Sequence, residues 1–205
     1  MNLLKSALIF VGILTVLGVS INAYVQDGEL NSTESGSTVA DTTKDRSVAN
    51  NYRIKALPVP TNLDFAGEPV PLEDPDVYER MDRELLVNTY WQSNALLLIK
   101  RANKFFPIIE PVLEEEGIPE DFKYLAVIES GLTQAVSPAK AVGFWQILEG
   151  TGKEYGLEIN ANVDERYNIE KSTRVAADYL KKAKARFGSW TLAAASYNAG
   201  QYGVD

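Results

Sequence analysis

The sequence predicts a mainly α-helical globule that follows an N-terminal targeting segment. Apolar residues recur at helical spacing from residue 74 onward, and prolines and glycines stand where helices would begin and end. No two-residue turn signal joins alternating strands, so a β element should be minor at most. The length of 205 residues and the hydrophobic content of 45% suit one modest domain with extensions.

The first predicted helix begins at Pro75. Asp74 offers a side chain for the N-cap, and a proline at the first helical position loses no hydrogen bond. Val77, Met81 and Leu85 recur every fourth residue and form one apolar stripe. This pattern is typical of an amphipathic helix that buries one face.

Two prolines interrupt the next apolar segment. Residues 95–106 run into Pro107 and Pro111, which we expect to separate them from the acidic residues 114–116. A glycine can adopt the left-handed conformation that ends a helix, so Gly117 should stop this one.

The third predicted helix is opened by Pro119 and ended by Gly131. Its expected buried side consists of Phe122, Leu125, Ala126 and Ile128. Core spacing recurs over residues 175–183, and one more helix should begin at Trp190.

Composition excludes several kinds of chemistry. The net charge of −8 argues against nucleic acid as a partner, and the chain has no His and no Cys. Ser-His and Cys-His catalysis and thiolate zinc sites are therefore absent, which leaves acid-base work near neutral pH to a perturbed carboxylate.

Neither a metal nor a cofactor is predicted. The residues Asn160, Asn162 and Asp164 resemble the start of a calcium loop, but the sixth position is Glu165 and the twelfth is Lys171. Such a loop needs glycine and glutamate at those two places.

The chain divides into four predicted parts. Residues 1–26 carry one charge and a long apolar run, which favours a cleaved export signal or a retained membrane anchor. Residues 27–62 are polar and should form a disordered linker. Residues 63–100 are an N-terminal helical extension, and residues 101–205 form the main domain.

Glu129 is the candidate catalytic residue. It follows an apolar run at 125–128 and lies in the last turn of the third predicted helix. Burial and the partial negative charge at a helix C-terminus both disfavour a carboxylate, so the pKa of Glu129 should be raised. A carboxyl group that stays protonated near neutral pH can donate a proton to a leaving oxygen.

Two further strings carry candidate substrate-binding residues. Gly143, Trp145 and Gln146 offer close backbone approach, an aromatic face and an amide, although one of the neighbouring pair Phe144 and Trp145 should be in the core. Tyr197 and Asn198, at the end of the last helix, can orient a carboxyl group and a substrate.

The order of these strings resembles the catalytic domain of family 1 soluble-type (SLT) lytic transglycosylases, most closely the membrane-bound D type. The matching strings are Glu129-Ser130, residues 137–146, Tyr-Gly-Leu at 155–157, residues 162–166 and Ser-Tyr-Asn-Ala-Gly at 196–200. The resemblance covers roughly residues 100–205. It implies a lysozyme-like fold, a location in the cell envelope and peptidoglycan as the substrate.

In such enzymes one Glu, at the position of Glu129, is the single catalytic carboxyl group. It protonates the bond between N-acetylmuramic acid and N-acetylglucosamine and then removes a proton, with formation of a 1,6-anhydro ring. The resemblance gives Ser130, Gln146, Tyr197 and Asn198 positions in the substrate site. It also implies a domain truncated at its C-terminal end, since the family pattern continues further.

Three other interpretations stay open. A hydrolytic muramidase would need a second carboxylate, for which Glu149, Glu154, Asp164 and Glu165 are the candidates. A catalytically inactive peptidoglycan-binding module would bind glycan without turnover. An envelope scaffold protein would do neither.

Overall fold

The computed structural model of the chain describes residues 55–200 and 203–204, without the side chains of residues 92 and 93. The predicted signal or anchor at 1–26 and most of the predicted linker lie outside this part. In it, the helices are α1 (Pro75–Tyr90), α2 (Gln92–Glu115), α3 (Lys123–Ser130), α4 (Glu149–Glu154), α5 (Ile169–Phe187) and α6 (Trp190–Ala199). The strands are β1 (Asp64–Phe65) and β2 (Glu68–Pro69), and 3-10 turns cover Glu120–Phe122 and Glu165–Tyr167.

The mainly α fold with a minor β element is confirmed. Helix α5 packs against α2 and α6, and the main core forms between them. Trp145, Phe122, Leu125 and Leu180 are among its fully buried side chains. Within the described part of the chain, no helix combines the length and the apolar character that a bilayer span requires.

Helix α1 follows its prediction closely. The Asp74 side chain accepts a hydrogen bond from the Asp76 N–H, and Pro75 occupies the first helical position. Met81 and Leu85 are each 2% exposed and form a small second core. Val59 packs against this cluster, so the end of the predicted disordered linker lies against the fold.

Helix α2 differs from its prediction. It continues through Pro107 and Pro111 to Glu115, although each proline removes one backbone hydrogen bond. Residues after the prolines, Ile109 and Leu113, are almost completely buried, and this packing offsets the lost bonds. The predicted separation at the prolines is therefore wrong. The helix ends as expected, with Gly117 at φ +68°.

A short hairpin was not predicted. Strands β1 and β2 pair antiparallel through a turn in which Ala66 and Gly67 have φ values of +54° and +76°. Such turns favour Asn or Asp at the first position, and alanine gives no such signal. Phe65 on β1 is 1% exposed and belongs to the main core.

The structure divides the chain differently from the predicted boundary between residues 100 and 101. That boundary falls inside α2, which is one continuous helix. The hairpin residue Phe65 also lies in the core of the main domain, with its ring 5.2 Å from that of Phe122. The first residues of the predicted extension are thus part of the main domain.

Candidate active site

Glu129 lies in the last turn of α3, which ends at Gly131 with φ +60°. The residues before it, from Tyr124 to Val127, are buried, and Glu129 itself is partly buried. Among the residues that the structure describes, none donates a hydrogen bond to its carboxyl group or forms an ion pair with it. Burial raises the pKa of Glu129 from 4.5 to about 7. The group can therefore both hold and release a proton near neutral pH.

The segment 143–146 is a tight turn opposite the end of α3. It connects Val142 and Ile147, which exchange two backbone hydrogen bonds of 3.1 Å. Gly143 has φ +79°, and a Cβ atom there would lie 2.5 Å from the carbonyl oxygen of Arg166. The absence of a side chain at Gly143 thus makes room for the protein's own backbone, which corrects the expectation that it makes room for a ligand.

Both aromatic residues of this turn are in the core. Phe144 is 2% exposed and Trp145 is 0% exposed. The indole N–H of Trp145 donates to the hydroxyl of Thr173 over 2.8 Å, so its polar atom is also satisfied inside the protein. The expectation that Trp145 presents a face to the substrate is therefore wrong in this structure.

Gln146 is held in one orientation. Its φ of +46° is unusual for a residue with a side chain. The amide Nε2 donates to the carbonyl oxygens of Gly143 (2.9 Å) and Ala135 (3.1 Å). Because both N–H bonds of the amide point into the protein, the Oε1 atom is left as the group that can accept from a ligand.

Ser130 connects α3 to the turn. Its hydroxyl lies 3.0 Å from the carbonyl oxygen of Phe144 and 3.1 Å from that of Ala126, and it accepts from the Thr133 N–H. These contacts fix the position of the helix end beside Glu129. All three hydrogen bonds of the Ser130 hydroxyl are made within the protein. A direct contact between Ser130 and the substrate stays a prediction.

Tyr197 and Asn198 lie at the C-terminal end of α6. The Tyr197 hydroxyl donates to the carbonyl oxygen of Trp145 over 2.8 Å. Burial, and next to it the negative charge of Glu129, raise the pKa of Tyr197 well above its usual range. Tyr197 and Ser130, the residue after Glu129, thus bond to neighbouring carbonyl oxygens of the same turn, those of Trp145 and Phe144. Asn198 is exposed and lines the same cleft as Tyr197.

An open cleft of about 560 Å³ brings several predicted residues together. Gln146, Tyr197 and Asn198 line it, whereas Glu129 is not among the lining residues. Five residues that the sequence did not indicate as substrate-binding also line the cleft: Thr151, Glu154, Tyr155, Tyr179 and Lys182. The Tyr-Gly-Leu string at 155–157 was a signal that pointed to this wall.

Three of the four candidate second carboxylates are held in ion pairs. Lys153 pairs with Glu149 at 2.6 Å, Arg166 with Asp164 at 2.6 Å, and Lys171 with Glu165. In each case the hydrogen bond from the basic side chain lowers the pKa of the carboxyl group. Glu154 is the fourth candidate, and it is exposed in the cleft.

The loop that resembles the start of a calcium site has another role. The Asp164 side chain accepts two hydrogen bonds from the Arg166 guanidinium, and the Asn160 side chain accepts from the backbone N–H groups of Asn162 and Val163. No group of carboxylates in the described ranges is arranged to hold a metal ion.

Comparison with known proteins shows which family the segment that carries the site is similar to. Residues 107–205 match the family model of the transglycosylase SLT domain. The matched segment contains Glu129, the turn at 143–146 and helix α6.

The individual relatives agree with the family match. The chain is 33% identical over 103 residues to the membrane-bound lytic murein transglycosylase D of Escherichia coli strain K12, and equally to that of Escherichia coli O6:H1. The alignment covers 49% of this chain and 23% of each relative. The chain thus spans about a quarter of the length of these curated relatives.

Proposed function

We propose that this protein is a lytic transglycosylase that cleaves peptidoglycan strands between N-acetylmuramic acid and N-acetylglucosamine. The observation that carries the proposal is Glu129, a partly buried carboxyl group whose pKa is raised to about 7 by burial. Tyr197, which lines the cleft with Gln146, and Ser130, the residue after Glu129, both bond to the turn at 143–146. The match of residues 107–205 to the SLT domain family and the names of the relatives support peptidoglycan as the substrate.

The proposed reaction uses Glu129 twice. The protonated carboxyl group donates its proton to the glycosidic oxygen, and the bond between that oxygen and C1 of the muramic acid breaks. The C6 hydroxyl oxygen then bonds to C1, while the Glu129 carboxylate takes the proton from that hydroxyl. No water is consumed, and the acid is regenerated. A pKa of about 7 suits both directions of transfer, because neither protonation state is strongly favoured.

Some of the other site residues would contact the substrate, and the rest hold the site in place. Gln146 would accept a hydrogen bond from the substrate, such as an N-acetyl N–H, through the Oε1 atom that its own contacts leave available. Asn198 and Tyr197, which line the same cleft, would also contact the sugar. Ser130, Gly143 and Trp145 act indirectly by holding the helix end and the turn in place.

A hydrolytic muramidase is the second candidate function. The observation that favours it is the exposed position of Glu154 in the cleft. Its carboxyl group lies in the cleft, whereas Glu149, Asp164 and Glu165 are engaged by basic side chains. A hydrolase would use such a carboxylate to activate water or to form a covalent intermediate. A catalytically inactive peptidoglycan-binding module is the remaining alternative.

The proposed location is the cell envelope, with the domain either exported to the periplasm or anchored in the membrane and facing the periplasm. The apolar segment at 1–26 would act as the signal or anchor, and the relatives from Escherichia coli are named as membrane-bound. Peptidoglycan is the proposed partner.

Mass spectrometry of digested peptidoglycan tests the proposal. We expect the wild-type protein to release muropeptides that carry a 1,6-anhydro ring and are lighter by one water than hydrolysis products. Products with reducing ends would support the hydrolase instead. Binding of peptidoglycan by a folded protein without any product would support the binding module.

A further inference from the structure

The hairpin formed by β1 and β2 contacts the beginnings of both helices that carry the site. The C-terminal end of α3 bears Glu129, and the C-terminal end of α6 bears Tyr197 and Asn198. The hairpin lies at the opposite ends of these helices, about 12 Å and 15 Å away along their axes. It therefore touches neither the acid nor the cleft.

The contact with α6 is made by Glu68. Its Oε1 atom accepts from the Trp190 N–H (2.6 Å), and its Oε2 atom accepts from the Thr191 N–H (2.9 Å) and the Ser189 hydroxyl (2.7 Å). Lys184 adds an ion pair at 3.2 Å. The first N–H groups of a helix have no partner within the helix and carry partial positive charge, so a carboxylate suits this place.

Charge on Glu68 is maintained across the working range of pH. Burial alone would raise its pKa, but the hydrogen bonds from Ser189, Thr191 and Trp190 outweigh this effect and lower the pKa to about 2. A group with a lowered pKa keeps its stabilising contacts at every pH above that value. The contact therefore does not change while Glu129 titrates.

The contact with α3 is made by the other strand and the turn. Phe65 packs against Phe122, which directly precedes α3, and the Ala66 N–H donates to the Asp121 carboxylate over 2.7 Å. Phe122 also lies edge-on to Trp190, with 5.4 Å between ring centroids. The hairpin thus connects the starts of the two helices directly.

We propose that Glu68 is a positioning residue that sets the separation between Glu129 on α3 and Tyr197 on α6. Helix α6 is short and packs through the small side chains of Ala193, Ala194 and Ala195. Hydrogen bonds from Tyr179 and Tyr197 hold its C-terminal end, and Glu68 accepts from the N–H groups at its start. Glu68 fixes its start, so the place of Tyr197 beside Glu129 depends on a residue more than a hundred positions earlier in the chain. The functional part of this inference rests on the proposed activity.

The test compares Glu68→Gln with Glu79→Gln, which changes an exposed glutamate on α1 in the same way. Two readouts are measured at a temperature where circular dichroism shows each variant fully folded. The first is the kcat and KM for solubilisation of peptidoglycan. The second is the titration of the Glu129 carboxyl carbon by NMR, which does not require activity.

We expect Glu68→Gln to lower kcat about tenfold and to change KM less, because small misplacements of site residues are costly. The Glu129 midpoint should move toward the ordinary value, because a displaced α6 would leave Glu129 less buried. Glu68→Asp, which keeps the charge, should recover part of both effects. Glu79→Gln should match the wild type.

A Glu68→Gln variant with reduced melting temperature but an unchanged kcat, KM and Glu129 midpoint would overturn the proposal, since Glu68 would then be only a stabilising residue. If the wild-type protein has no activity, the proposed function fails. The Glu129 titrations of the wild type and Glu68→Gln then still show whether Glu68 positions the helices. If Glu68→Gln does not fold, Ser189→Ala removes one of the four donors to Glu68, together with the cap that accepts from the Leu192 N–H, and carries the same comparison.

Discussion

The hydroxyl of Tyr197 donates a hydrogen bond to the backbone carbonyl oxygen of Trp145 over 2.8 Å. This bond joins the end of α6 to the turn at 143–146, which Ser130 joins in turn to the end of α3. The three strings recognised in the sequence are thus connected by hydrogen bonds to main-chain oxygens. The buried tryptophan takes part through its backbone, and its ring fills the core.

Tyr197→Phe should lower both activity and stability. The change leaves the Trp145 carbonyl oxygen without its partner, which costs about 1 kcal/mol in the free energy of unfolding. We expect kcat to fall about tenfold, because Tyr197 would no longer be held beside Glu129. Urea unfolding and initial rates measure the two effects. Tyr78→Phe, on the exposed surface of α1, is the control, and equal rates for the two variants would contradict the role of Tyr197.

Glu129→Gln should stabilise the protein at alkaline pH. The pKa of Glu129 is about 7 in the folded protein against an ordinary value of 4.5, so the folded state holds this proton more tightly. The wild-type free energy of unfolding therefore loses up to about 3 kcal/mol as the pH rises through this interval. Glutamine avoids that loss, because it stays neutral.

Urea unfolding at about pH 4 and about pH 8 measures this difference. The Glu129→Gln variant and the wild type should be similar at the lower pH, and the variant should be more stable at the higher one. Glu79→Gln should show no pH-dependent gain. A Glu129→Gln variant without extra stability at the higher pH would mean that burial does not perturb this carboxyl group.

Trp145→Phe should affect stability and leave substrate binding unchanged. The smaller ring leaves a cavity and deprives the Thr173 hydroxyl of its donor, at a cost of about 1 to 3 kcal/mol. The KM for peptidoglycan should remain that of the wild type. A raised KM for a stable Trp145→Phe variant would restore a direct role for the indole.

Gln146→Ala should instead raise the KM for peptidoglycan, because it removes the Oε1 atom that can accept from the substrate, and it should cost less stability than Trp145→Phe.

Gly143→Ala should destabilise the protein by about 2 kcal/mol or more. The new Cβ atom would lie 2.5 Å from the Arg166 carbonyl oxygen, at a φ that L-residues avoid. Gly150→Ala is the matched control, because a Cβ there meets nothing and alanine favours the α4 helix. The midpoints of urea unfolding measure both changes. Equal midpoints for the two variants would contradict the close approach between Gly143 and the Arg166 carbonyl oxygen.

Local signals in the sequence predicted the parts of the fold that depend on neighbouring residues. Asp74 and Pro75 start α1, and Gly117 and Gly131 end α2 and α3, since caps and left-handed glycines act within one turn of a helix. The place of Glu129 at a partly buried helix end followed from the same kind of pattern.

The remaining features depend on contacts between distant segments. Helix α2 passes Pro107 and Pro111 because the core that buries it is formed by other helices. The Trp145 ring is buried because Thr173 on α5 supplies its partner. Glu68 meets the start of α6 across more than a hundred residues. Periodicity and spacing carry no information about such pairs.

The rates of Glu129→Gln and Glu154→Gln on purified peptidoglycan test the central claim most directly. A single catalytic carboxyl group predicts that Glu129→Gln loses about a thousandfold or more in initial rate, whereas Glu154→Gln stays within about threefold of the wild type. Both proteins should remain folded, because the substitutions are isosteric. Comparable large losses in both variants would show that two carboxylates are required, and near wild-type activity of Glu129→Gln would show that Glu129 is not the acid.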